Sequence, residues 1–327
     1  MSTSAAFAIT VVFLIITSVN IIGNSLVCWI IKKNRDMRTP INYLIVNLAI
    51  SDIMYAVFMI PKNIMTLTGA IHPDGMIGLC LCKFVTNGNI AWIGGVSSII
   101  TLVAVAFERY YAVVYPFNSE RNVTTQKLRV IIPCAWLFST LFISPLFFII
   151  EEEGRSCVRS WPKKWMSKAY NFAWSTLVFV SLLVMIVLYS RVIYALCSNT
   201  IDGNEATRQQ QGVLRVRKRV TLMVIIVSVI FGICWATLQV CFTLMDVASV
   251  SIGPLPFDVA FTMVLFNSAI NPFVYALLNQ QFKEKMKGMI CGNHSLSRIQ
   301  PSNEIEGKVN TDNTTNTSKT SESKFKD

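Results

Sequence analysis

The stretch AVAFERYYAVVYPF (104–117) runs apolar for four residues, sets Glu108 beside Arg109, and then turns aromatic. An ion pair at the end of an apolar run raises the question of what solvent surrounds that run. The whole chain supplies the answer: of its 327 residues 53% are hydrophobic and 14% are charged, against about 25% charged in a water-soluble domain. Residues 1–31, 84–107, 130–150, 169–190 and 220–245 carry no charge, 41–61 carry Asp52 alone, and 247–282 carry Asp258 alone. Each stretch reaches the roughly 20 residues that an α-helix needs to cross a bilayer, where the backbone must satisfy its own hydrogen bonds. An all-α membrane protein, a bundle of seven transmembrane helices, is predicted. At the end of the third span a guanidinium reaches interfacial water while the adjacent carboxylate limits its cost. A simple topological anchor is the alternative reading of the pair taken by itself.

Basic residues set the orientation. Lys32, Lys33, Arg35 and Arg38 follow span one, and Arg121, Lys127 and Arg129 lie between spans three and four. Arg215, Arg217, Lys218 and Arg219 lead into span six, and Lys283, Lys285 and Lys287 follow span seven. All fall on one side, which becomes cytoplasmic and leaves the N-terminus outside. The fourth connection opposes the trend with Arg155, Arg159, Lys163, Lys164 and Lys168, partly offset by Glu151, Glu152 and Glu153. The net charge of +11 is thus a fringe suited to anionic lipid headgroups; the partner it implies is the lipid bilayer, with no nucleic acid. The first 31 residues lack the basic flank and cleavage pattern of a secretory signal and read as a retained first helix. The run QQFKEKMKGMI (280–290) reads as a short amphipathic eighth helix. Residues 292–327, rich in Ser, Thr, Asn and Lys, have too few apolar side chains for a core. The expected organisation is a seven-transmembrane domain over 1–291 and a disordered cytoplasmic tail over 292–327.

Six motifs carry a resemblance. GNSLV (23–27), NLAISD (47–52), ERYYAV (108–113), Trp136, ICW (233–235) and NPFVY (271–275) stand in the order, and nearly at the spacings, of the rhodopsin-like G-protein-coupled receptors. The resemblance covers residues from about 5 to 291. It implies a multi-pass plasma-membrane receptor that transmits an extracellular signal to a heterotrimeric G protein. By the same resemblance Arg109 pairs with Glu108 at rest and contacts the G protein on activation, with Tyr110, Tyr189 and Tyr275 at the coupling end. Trp235, Asn24 and Pro272 match the family's switch positions. Position 217, where many relatives carry a second acid that holds this arginine, is Arg here, so that lock is absent and some basal activity is expected.

Asp52 lies deep in a span, where a carboxylate needs a partner, a proton or a metal ion. Asn24, Ser98, Asn267, Ser268 and Asn271 match the positions around this acid that commonly form a sodium site in the family. Oxygen ligands suit a hard cation, so an allosteric Na⁺ is expected, with no other cofactor; a protonated Asp52 bonded to Asn271 and water is the alternative. Two departures concern the helices. Thr237 in span six and Ser181 in span five stand where relatives usually carry Pro. Without a proline kink, span six needs another hinge, for which Gly232 is a candidate.

Nine cysteines do not make a disulfide scaffold, because several fall within spans and behave as small hydrophobes. The resemblance pairs Cys157, in the second outer loop, with a cysteine opening span three. Cys82, which begins CKF, fits that pattern better than Cys80, yet it precedes Arg109 by 27 positions, a couple more than usual, and both stay open. Cys291 is a candidate for palmitoylation or an idle thiol.

The ligand class follows less directly. Leu265 occupies the opsin lysine position and Ala91 the position of an amine receptor's acid, which disfavours retinal and amines. The loop EEEGRSCVRSWPKKWMSKAY (151–170) resembles that of neuropeptide-type receptors, which forms a hairpin over the binding mouth. A peptide is the expected ligand, held by Trp161, Lys163 and Lys164, with Trp92 and Gln239 beside Ala91. Those basic and aromatic residues would also serve as interface anchors. A lipid or small-molecule ligand is the alternative, and a membrane transporter a remote one. With its two histidines at 72 and 294 the chain shows no catalytic constellation, so it is not expected to be an enzyme. Phosphorylation of Thr314, Thr315, Ser318, Thr320, Ser321 and Ser323 is expected to recruit arrestin.

Overall fold

The structure, a computed structural model, describes residues 3–68, 72–73, 75–116, 121–153, 156–201, 208–246 and 253–290. Its described helices are α1 (Thr3–Lys33), α2 (Pro40–Thr68), α3 (Met76–Leu81), α4 (Asn89–Val114), α5 (Thr125–Phe148), α6 (Lys164–Ile201), α7 (Arg208–Asp246), α8 (Pro254–Leu278) and α9 (Gln280–Ile290). Among the described residues seven spans are long and apolar enough to cross a membrane, with α3 and α4 sharing the third. The protein is therefore a multi-pass membrane protein. Two compact units divide it, Met1–Lys287 and Gly288–Asp327; the second is described over residues 288–290. Cys291 and the Ser- and Thr-rich tail lie outside the described residues.

Helix packing forms a closed ring: α1 lies against α2 and α8, α8 against α7, α7 against α6, and α6 against α4, which also contacts α2 and α5. α4 is the axis of this arrangement and the most buried span. Small residues make that possible. A Cβ on Gly94 would stand 2.6 Å from the Ser51 carbonyl oxygen, so the α4 and α2 backbones meet at a distance that no other side chain permits. The Asn47 amide then donates to Thr101, and Trp136 of α5 donates to Asn47, tying three spans with polar bonds inside the bundle.

Between Cys82 and α4 the chain makes a π-helical turn, Cys82–Thr86, and passes Gly88 in the left-handed region at φ 73°. The wider turn and the break absorb the additional residues between Cys82 and Arg109. Cys82 pairs with Cys157 across 5.5 Å between Cα atoms, and Cys80 is a free, exposed thiol. Cys157 lies in strand β2 (Ser156–Arg159), antiparallel to β1 (Ile150–Glu153), with Glu152 opposite Cys157. The hairpin expected of this loop is present.

Span six runs through Gly232 and Thr237 without a break. Gly232 packs against α6, where a Cβ would stand 3.0 Å from Leu182 Cδ2, so its small size has a packing cause. At the Pro position, the Thr237 hydroxyl donates to the Ile233 carbonyl at 2.8 Å. This second bond to an i−4 carbonyl is a known source of helix bending.

Candidate functional site

Three sites are strung along α4. At its N-terminal end, beneath the hairpin, lies a cavity of about 280 Å³ lined by Trp92, Arg159, Trp161, Tyr170, Asn171, Trp174, Gln239 and Phe242, among others. Trp92 and Trp174 of its lining belong to an aromatic cluster: the Trp92 ring centroid lies 5.6 Å from Trp174 and 6.2 Å from Trp235, and Trp174 stacks on Trp235 at 6.0 Å. Gly95 permits this, since a Cβ there would stand 3.1 Å from the Trp235 ring. Polar anchoring is sparse. Ser175 donates to Gln239 Oε1 at 3.2 Å, Tyr170 donates to the Phe142 carbonyl, and Arg159 donates to Asn87 Oδ1 at 3.5 Å. Such apolar walls with a few fixed polar groups suit an amphipathic guest.

Of the residues expected at this mouth, Trp92, Trp161 and Gln239 come together. Ala91 is fully buried within the helix packing, and Lys163 and Lys164 are exposed and do not line the cavity. Arg159 supplies a cation at the lining instead. Tyr170, Asn171 and Trp174 were missed; α6 begins at Lys164, and the helical spacing of 167, 170, 171 and 174 on one face is the signal that finds them.

At mid-span sits Asp52, 1% exposed. Ser98 and Ser268 donate to its Oδ1 at 2.8 and 2.9 Å, and Asn271 donates to Oδ2 at 2.8 Å. Asn24 and Asn267 are buried in the bundle and make no direct bond to this carboxylate. Asn24 has a different task. Pro272 has no N–H, which leaves the carbonyl of Ser268, four residues earlier, without its helical donor. Asn24 Nδ2 donates to that oxygen at 3.1 Å. Gly23 lets the two helices approach, since a Cβ would stand 2.9 Å from Pro272 Cγ. The Oδ1 atoms of Asn24, Asn267 and Asn271 are buried acceptors without a protein partner.

At the C-terminal end of α4, Arg109 is 8% exposed and makes a two-point bond to Glu108: Nε to Oε2 at 2.5 Å and Nη2 to Oε1 at 2.6 Å. Two parallel charge-assisted bonds are the strong form of this pair. Both residues line a second cavity of about 280 Å³ with Asn42, Val216, Arg219, Met223 and Gln280. Arg217 on α7 carries the same sign as Arg109 and offers it no lock. Tyr189 is held by α7 through Ser228, whose hydroxyl donates to the phenol oxygen at 3.2 Å. Tyr275 is buried and its ring meets Phe282 of α9 at 6.3 Å. Tyr110 is half-buried against Tyr111 and Tyr115 rather than inside the cavity.

A family model described as "7 transmembrane receptor (rhodopsin family)" matches residues 23–275. The pyroglutamylated RF-amide peptide receptor of Rattus norvegicus is 30% identical over 305 residues, covering 85% of this chain and 68% of that protein. Neuropeptide FF receptor 1 of Rattus norvegicus is 30% identical over 288 residues, covering 80% and 65%. The substance-P receptor of Aquarana catesbeiana is 30% identical over 286 residues, covering 84% and 68%. The chain spans about two thirds of the length of these relatives.

Proposed function

Because the chain belongs to the rhodopsin family of seven-transmembrane receptors, we propose that it carries the signal of an extracellular peptide to a heterotrimeric G protein from the plasma membrane, with its N-terminus outside. The observation that carries this reading is the aromatic cavity under the β1–β2 hairpin, at the end of the bundle opposite Arg109. Trp92, Trp161, Trp174 and Phe242 offer walls to apolar side chains, while Arg159, Asn171 and Gln239 offer polar groups to a peptide's backbone or terminus. The relatives named above are named for peptide ligands, which supports the same class. Ala91 leaves no anion for a small amine.

Leu238, Gln239 and Phe242 of α7 line the cavity under the hairpin, Trp235 of the same helix packs against Trp92 and Trp174, and α7 reaches the second cavity at Val216 and Arg219. A guest pressing on Trp92 and Trp174 therefore bears on the helix that walls the cavity holding Arg109. Displacement of α7 would open that cavity and release Arg109 from Glu108 toward a protein partner. The Asp52 carboxylate, the Ser98 and Ser268 hydroxyls bonded to it and the Asn271 amide, whose Oδ1 lacks a partner, fit Na⁺, since every ligand they offer is an oxygen. Bound there, the ion would balance Asp52 and hold α2, α4 and α8 in the resting arrangement. Arrestin would read the phosphorylated tail, and Cys291 would carry the acyl chain.

A screen of peptides, lipids and amines in cells that express the chain with a promiscuous G protein tests the ligand class. A peptide response that falls with Trp161→Ala at unchanged surface level is expected. Activation by lipids or amines alone overturns the reading.

A further inference from the structure

A third concavity, of about 580 Å³, opens on the outer side of the bundle toward the Arg109 end of α4. Val103 and Phe107 of α4 and Leu128 and Ile131 of α5 form its apolar wall, and Arg121 and Lys127 stand at its rim. The rim is built by the connection between the two helices. Arg121 lies 4.9 Å above the Tyr115 ring, and Lys127 Nζ donates to the Asn122 carbonyl at 2.9 Å, so both cations are held beside the groove by their own loop. Phe107 stacks on Tyr111 at 6.4 Å, extending the apolar wall as an aromatic strip up to the basic rim. Among the described residues of the lining none is acidic.

Dimension and charge together select the occupant. From Ile100 to Tyr111 the α4 wall rises about 16 Å at 1.5 Å per residue, close to the roughly 15 Å depth of one leaflet's hydrocarbon. A groove one leaflet deep, apolar along its length and doubly basic at the headgroup level, matches an amphiphile with an acyl chain and an anionic head. We propose that this groove binds an anionic phospholipid of the leaflet at the Arg109 end, its phosphate on Arg121 and Lys127 and one acyl chain along Val103, Phe107, Leu128 and Ile131. The assignment uses the membrane-spanning fold and needs neither the peptide nor the G protein.

Native mass spectrometry of the purified full chain, titrated with dioleoyl phosphatidylserine, dioleoyl phosphatidylinositol 4,5-bisphosphate and dioleoyl phosphatidylcholine, tests it. The anionic lipids should be retained at least about tenfold better than phosphatidylcholine. Arg121→Gln with Lys127→Gln should remove that preference. Ile131→Trp, which fills the groove without changing charge, should lower retention to a similar extent; Ile131→Phe serves if the Trp variant does not fold. Lys32→Gln with Lys33→Gln, removing two charges from the same fringe at α1, should leave retention unchanged. Equal loss in the α1 variant would mean delocalised attraction and overturn the site. So would unchanged binding in the rim or groove variants, equal retention of phosphatidylcholine, or full displacement by soluble inositol trisphosphate.

Discussion

Among single residues, the charged groups that the bundle surrounds, Asp52, Glu108 and Arg109, decide what the protein can do. Asp52 accepts three hydrogen bonds, one of them from Asn271, whose own Oδ1 is buried without a protein partner. Asp52→Asn keeps the shape and removes the charge. Agonist affinity measured in sodium and in a bulky organic cation should differ for the parent and be the same for the variant; an unchanged sodium response in the variant contradicts the site. At the cavity under the hairpin, Arg159 belongs to the lining while Lys163 and Lys164 stand outside it. A hydrogen bond to a charged group contributes about 1.5–3 kcal/mol, and each 1.4 kcal/mol is about tenfold in affinity. Arg159→Gln should therefore weaken peptide potency at least about tenfold, and more than Lys163→Gln with Lys164→Gln. A competition binding curve for each variant decides it, and the reverse order would move the cationic contact to the loop.

At the scale of elements, close helix contacts rest on missing side chains. Gly94→Ala would drive a Cβ against the Ser51 carbonyl oxygen, which is backbone and cannot rotate away. Overpacking of this kind costs about 1–3 kcal/mol, so thermal unfolding of the purified variant should begin several degrees earlier; an unchanged midpoint would mean that α2 and α4 part without cost. The seven spans were legible in the sequence because hydrocarbon tolerates few charges and no unpaired backbone, which leaves long uncharged runs in plain view. Asp52, Arg109 and the disulfide partner Cys157 were legible from charge, motif and loop position. Other features were not, because they depend on which atoms meet in three dimensions. The carbonyl that Pro272 frees finds its donor in Asn24, which lies 244 positions from Ser268 in sequence. The π-helical turn after Cys82 has no periodic signature in a run that is apolar throughout. Lys163 and Lys164 adjoin Trp161 in sequence, but the start of α6 turns the chain so that Tyr170, Asn171 and Trp174 face the cavity in their place.

At the scale of the whole molecule, a chain of packed aromatic rings joins the hairpin-roofed cavity to α7, and α7 walls the cavity that holds Arg109. Arg109 is the group in which this connection ends. The guanidinium is bonded to its own neighbour Glu108 and to no acid on α7 among the described residues, so its removal deletes a coupling group and spares the helix-to-helix packing. The most direct measurement is agonist-stimulated nucleotide exchange on a purified heterotrimeric G protein, reconstituted with the parent or with Arg109→Ala at matched amounts of ligand-binding receptor. The variant should bind ligand and give no stimulated exchange; stimulated exchange equal to that of the parent would rule out Arg109 as the coupling group.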